Sequence, residues 1–333
     1  MTSSLRVGVA GVGAVGSRVV RRLLAAGHVV VVDGSRPRAR GDAAAGFGDR
    51  LERAAGGLAA ASLDAAILAA PSGDQPDIVT ALLGNVPLVV STADSVDSVR
   101  QLLAVGDRAA ASGTAVVVGS GFAPGLSCLL ASRLVAQMDE AEEIHIAKAG
   151  TGGPACARQH HRALGSWAFD WRDGEWIDRP GGSGRELCWF PEPFGARDCY
   201  RAELPDPLLL VESYPSISRV TSRMAANRRD RFTTWLPMLT PPHPEGAVGA
   251  IRVEVRGRRG VARVTEVMGV VERPAVAAAA MAAAVVLECA GGVQLPSGSH
   301  PVATIATSSL LNEVAAAGVT FHRFAGTENV VGW

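Results

Sequence analysis

The chain has 333 residues, 48% of them apolar, with a mean hydropathy of +0.20. At about 150 residues per domain this argues for two globular domains and excludes a disordered chain. The 32 basic and 32 acidic residues cancel and form no sustained basic run, which argues against nucleic acid or an anionic membrane surface as a partner.

The first third repeats an apolar strand, a small-residue turn and a helical pattern. Leu5 to Ala10 reads as a strand, and from Val15 the apolar positions Val19, Val20, Leu23 and Leu24 recur at helical spacing until Gly27. His28 to Val32 is a second strand. Residues 34 to 62 are alanine-rich and give little periodicity beyond a possible short strand near Leu51. Asp64 to Ala70, Pro87 to Val90 and Ala115 to Val118 are short continuous apolar runs, the pattern of strands buried on both faces of a parallel sheet. After Phe122 the texture changes. Ala123 to Gln137 reads as a helix starting near Pro124, and hairpin signals follow at Trp171 to Trp176 and around Gly257 to Gly260. Arg273 to Ala290 reads as a small-residue helix. The expected architecture is a Rossmann-type, doubly wound α/β domain over residues 1–123, joined by a returning segment from about 300 to 333. A second α+β substrate or dimerisation domain takes residues 124–299.

The longest run without a polar residue, Ala275 to Leu287, has 13 residues, short of the ~20 that cross a bilayer. No cationic lead precedes the first apolar stretch, so no membrane partner and a cytoplasmic location are expected. Five scattered cysteines with no Cys-x-x-Cys pair suit reduced thiols, and no metal is expected.

The strongest motif is Gly11-Val12-Gly13-Ala14-Val15-Gly16, a G-x-G-x-x-G between a strand and a helix. Its first Gly permits a tight turn, its second admits a pyrophosphate, and its third lets the helix pack close, with free N–H groups at the helix start facing the phosphates. Asp33, 22 residues after Gly11, ends the next strand and suits the adenosine ribose of NAD. Gly34, Ser35, Arg36 and Arg38 follow it; the arginines either grip a 2′-phosphate or sit in a solvated loop, so the choice between NAD and NADP stays open. Ala70-Pro71-Ser72 and Ser91-Thr92 stand at the carboxyl ends of later strands, where they either line the nicotinamide ribose or serve as ordinary turns.

Lys148 is the one lysine of the chain. It lies before a Gly-rich stretch and is either a proton donor or substrate anchor, or a solvated strand-end lysine. His160 or His161 and Asp94 are the reserve catalytic candidates. Adjacent histidines on a helix point about 100° apart, so at most one of the pair faces a site. Glu186, Asp198, Tyr200 and Arg201, among aromatic residues, form either a ligand pocket or a core.

The Gly11 to Gly16 fingerprint, the strand end Ala69-Ala70-Pro71-Ser72, and Gly119-Ser120-Gly121-Phe122-Ala123-Pro124-Gly125-Leu126-Ser127 opening a helix together resemble the saccharopine dehydrogenase-like reductases. Gly152-Gly153-Pro154-Ala155, the Gly257 to Gly260 hairpin and Leu295-Pro296-Ser297-Gly298-Ser299-His300-Pro301 are similar to that family too. Ala123 departs from it, standing where relatives usually carry Asp. The resemblance implies an NAD(P)-dependent oxidoreductase acting by imine reduction or amine oxidation on a small polar metabolite, as a homodimer. Two alternatives remain: a cyclase or lyase with a retained dinucleotide, and a non-catalytic dinucleotide sensor. Net turnover of the dinucleotide separates the first reading from both.

Overall fold

A computed structural model describes residues 4–33, 48–234, 236, 238 and 241–324. The expectations for Gly34, Ser35, Arg36 and Arg38 lie outside the described residues.

Seven parallel strands build the first sheet: β1 (Arg6–Ala10), β2 (Val29–Asp33), β3 (Leu51–Arg53), β4 (Ala65–Leu68), β5 (Leu88–Ser91), β6 (Ala115–Val118) and β15 (Gly298–Pro301). Their order is β15-β6-β5-β4-β1-β2-β3. The apolar runs fall where periodicity placed them, because strands covered by helices on both faces need no polar alternation. The helix Gly16–Ala25 buries Val19, Val20, Leu23 and Leu24 against the sheet. Strand order reverses between β1 and β4, and open α/β sheets bind ligands outside the carboxyl ends of their strands at such a point.

The chain returns to this sheet through β15, parallel to β6. The segment beyond divides: Phe321–Arg323 (β16) pairs with the second sheet instead. That sheet has nine strands, with the path β10-β11-β12-β7-β13-β14-β16 and the hairpin β8–β9 attached to β12. Its centre is β7 (Glu140–Ala149), parallel to β12 (Arg219–Ala225) and antiparallel to β13 (Gly249–Arg259). The hairpin of β8 (Trp167–Arg172) and β9 (Glu175–Pro180) turns on Asp173 and Gly174, both at positive φ (51° and 89°), as two-residue hairpin turns require. β13 and β14 (Ala262–Glu272) run further than their apolar cores, so the turn lies at Gly260, not across Gly257 to Gly260. β10 (Glu186–Trp189) and β11 (Ala196–Arg201) complete the sheet.

The helix Pro274–Ala290 is buried nearly all round. Its alanines let the helices Gly16–Ala25 and Ser308–Ala316 approach closely, and it also touches β4 and β5. Among the described residues no helix is long and apolar enough to cross a membrane.

Candidate functional site

A cleft of about 1260 Å³ opens at the switch point, with Gly11 to Val15 on one side and Lys148, Gly152, Gly153 and His160 on the other. The glycine loop is shaped by close approaches. Gly11 has φ +85°, and a Cβ there would lie 2.7 Å from the Ala70 nitrogen. A Cβ at Gly16 would collide with the Gly11 carbonyl oxygen. Gly13 differs, since a Cβ there meets nothing within 4 Å and the space beside it is the cleft itself. The N–H groups of Gly13, Ala14 and Val15 donate to no backbone acceptor among the described residues. Free N–H groups at a helix start, beside room for a ligand, make an anion cradle.

The later strand ends divide into lining and support. Ala70, Pro71, Ser72 and Thr92 line the cleft. Ser72 Oγ accepts from the backbone nitrogens of Asp94 (3.0 Å) and Ser95 (3.1 Å), tying two loops together. Ser91 does not line the cleft: it is fully buried, and its hydroxyl donates to Gln75 Oε1 at 2.7 Å. Gln75 Nε2 in turn holds the Ala70 carbonyl at 2.9 Å. Asp33 ends β2 exposed and is not part of the lining, whereas Val32, Leu51 and Arg53 are.

Lys148 is only 1% exposed, which removes the solvated-surface alternative. It sits on the central strand β7, opposite Met224 of β12 and Ile251 of β13, and faces the cleft. Its Nζ donates to the Ala123 carbonyl at 2.8 Å and lies 2.8 Å from His160 Nε2. An ammonium has three N–H donors, so one remains for a ligand. The Ala123 contact uses only backbone, so the Ala123 side chain is not what holds Lys148.

His160 stands on the helix Pro154–Gly165, is 6% exposed, and has its basicity held well below the usual histidine range, by burial first and by Lys148 second. A neutral ring accepts from Lys148 at Nε2 and carries its proton on Nδ1. Asp94 Oδ2 is 3.9 Å from that Nε2, and Cys156 Sγ, one turn earlier, is 3.5 Å away. Burial and Asp94 push the Cys156 thiol up, so it stays protonated. These three residues have donor atoms within 4.8 Å of one another, but the His160 lone pair a metal needs is already engaged by Lys148. His161 points elsewhere, with Nε2 2.8 Å from the Leu236 carbonyl.

Behind Lys148 lies Asp206, fully buried, with Oδ1 2.5 Å from the Ser127 hydroxyl. Burial pushes its carboxyl up, while the charge of Lys148 pulls it down. Sequence reading did not single out Asp206, Cys156 or Arg53. Ser127 lies within the Gly119 to Ser127 motif, the one signal the sequence carries for this group. In the aromatic segment Tyr200 is buried with Leu164 and Met224, Trp189 is exposed, and none of Glu186, Asp198, Tyr200 or Arg201 lines the cleft.

The state of His160 has a consequence for stability. Unfolded histidine titrates near 6.5, whereas folded His160 resists the proton to lower pH. The unfolded chain therefore binds more protons as pH falls below about 6.5. Stability is complete above that value and is lost towards the folded value, at up to about 1.4 kcal/mol per pH unit. The melting temperature should drop between pH 7 and pH 5, and less steeply in His160→Gln; identical pH slopes would contradict this.

Residues 6–95 match the family model described as NADP oxidoreductase coenzyme F420-dependent. A search of curated protein sequences gave no match. Among solved structures, the chain is similar to apo saccharopine dehydrogenase (L-Glu forming) from Saccharomyces cerevisiae. The identity is 14% and the TM-score 0.65, covering 97% of this chain and 100% of that one. It is similar also to the DAP dehydrogenase of C. glutamicum in complex with DAP, with 16% identity and TM-score 0.46, covering 95% and 99% of the two chains. An engineered D-amino acid dehydrogenase bound to NADP+ gives 15% identity and TM-score 0.47, covering 94% and 99%. At such identities the first of these likenesses establishes the fold, and the resemblance read from the short motifs holds at that level. The chain has the fold of saccharopine dehydrogenase.

Proposed function

We propose that the chain is an NAD(P)-dependent oxidoreductase that moves hydride to or from a C–N centre of a small polar metabolite, by imine reduction or amine oxidation. The observation that carries this reading is the buried Lys148–His160 pair, facing the same cleft as the Gly11 to Val15 loop. The residues present fit a dinucleotide: the unpaired N–H groups of Gly13 to Val15 receive the pyrophosphate, and the open side of Gly13 admits it. When bound, the nicotinamide supplies or takes up the hydride.

The chain's own residues supply the rest. Lys148, fixed at two of its three donors, directs the remaining N–H at a substrate nitrogen and gives it a proton as hydride is added. Neutral His160 keeps Nε2 available as an acceptor and orients the amine. Asp94, 3.9 Å from that ring, favours the charged form should His160 take up a proton in turn. Ser72, Gln75 and Ser91 hold the loops that frame the cleft, so these groups are placed before substrate arrives.

The test is to incubate the chain with reduced nicotinamide dinucleotides and a panel of imines, including keto acids mixed with amines, and to follow dinucleotide oxidation. Oxidation that depends on an imine is expected. Oxidation with plain ketones or aldehydes and with no imine would replace the C–N reading with a carbonyl reductase.

A further inference from the structure

We infer that Arg53 binds the 2′-phosphate of an adenosine dinucleotide and makes the chain prefer NADP over NAD. This rests on the dinucleotide reading above and assigns one position within it.

Arg53 is the last residue of β3, at the carboxyl edge of the parallel sheet. It pairs in register with Val32 of β2, and paired residues in adjacent strands project to the same face. Both Val32 and Arg53, with Leu51 two residues earlier on the same face, line the cleft. Asp33, one residue beyond Val32, alternates to the other face and is absent from the lining. Among the cleft residues contributed by β2 and β3, Arg53 therefore carries the only charge, and it is a cation.

Arg53 is exposed and forms no ion pair among the described residues. The neighbouring carboxylate of Glu52 lies on the opposite face, where Arg6 holds both of its oxygens at 2.6 Å. The position is also right for the group concerned. With the pyrophosphate on the loop after β1, the adenosine extends over the end of β2, the neighbour of β3 about 4.8 Å away. An arginine there reaches the ribose 2′ position, and its planar fork matches a phosphate with two parallel hydrogen bonds. An acid facing the ribose would repel that phosphate, and Asp33 is not part of the cleft lining.

The test uses calorimetric titration of the full chain with NADP+ and NAD+, and with 2′,5′-ADP and 5′-AMP to isolate the adenosine end. The wild-type chain should bind NADP+ more tightly than NAD+, and 2′,5′-ADP more tightly than 5′-AMP. Arg53→Gln should weaken NADP+ and 2′,5′-ADP by about 10- to 100-fold, the loss of a charge-assisted pair, and change NAD+ by less than about twofold. Arg53→Lys should recover part of the preference, and both variants should melt with the wild type because the side chain is exposed. An equal loss for both dinucleotides would mean that Arg53 stacks on the adenine, and no loss would mean that it is a surface arginine; either overturns the inference alone. A wild-type chain that binds neither dinucleotide overturns the dinucleotide reading, and this inference with it.

Discussion

Replacing Gly13 with valine should abolish dinucleotide binding in a chain that still folds. The separation follows from the three glycines of the loop. A side chain at Gly13 meets no protein atom within 4 Å and fills the cleft where free N–H groups wait for a phosphate. A side chain at Gly16 instead strikes the Gly11 carbonyl oxygen, which belongs to the fold and not to the ligand site. Gly16→Ala should therefore cost stability, about 1–3 kcal/mol for an overpacked contact, whereas Gly13→Val should leave the melting temperature close to wild type. Calorimetric titration beside a thermal melt separates the two effects. A folded Gly13→Val variant that binds either dinucleotide with unchanged affinity contradicts the assignment of the loop.

Lys148→Met should lower turnover by about 10²- to 10⁴-fold while leaving dinucleotide affinity nearly unchanged. Methionine keeps most of the buried stem and removes the charge and the hydrogen bonds to Ala123 and His160. The stability cost of those charge-assisted bonds, about 1.5–3 kcal/mol each, is read separately by a thermal melt. A fall confined to kcat marks the donor; a rise chiefly in KM marks a substrate anchor. Near-normal values for both would move the search to His160 and Asp94.

What was legible in the sequence was local. The fingerprint occupies six consecutive residues between a strand and a helix, so its chemistry is written in one place. The β1, β4, β5 and β6 runs declared themselves because strands covered on both faces are continuously apolar. The Lys148–His160 pair was visible only as two candidates. Their contact depends on the register of β7 and on which face of the helix Pro154–Gly165 meets it. Asp206 and Ser127 are 79 residues apart, and their hydrogen bond leaves no trace in spacing. Arg53 was hidden for another reason: β3 has three residues, too few to show a period inside an alanine-rich stretch. Ser91 and Thr92 illustrate the converse. They are adjacent at one strand end, yet strand alternation turns one into the interior to hold Gln75 and the other towards the cleft.

A crystal structure of the chain grown with NADPH reports where both ends of the dinucleotide lie. The pyrophosphate is expected against the Gly13, Ala14 and Val15 nitrogens. The nicotinamide is expected beside Lys148, with room for a substrate nitrogen within about 3 Å of Nζ or one water away. A dinucleotide bound with its nicotinamide end directed away from Lys148 and His160, or bound outside this cleft, would contradict this placement.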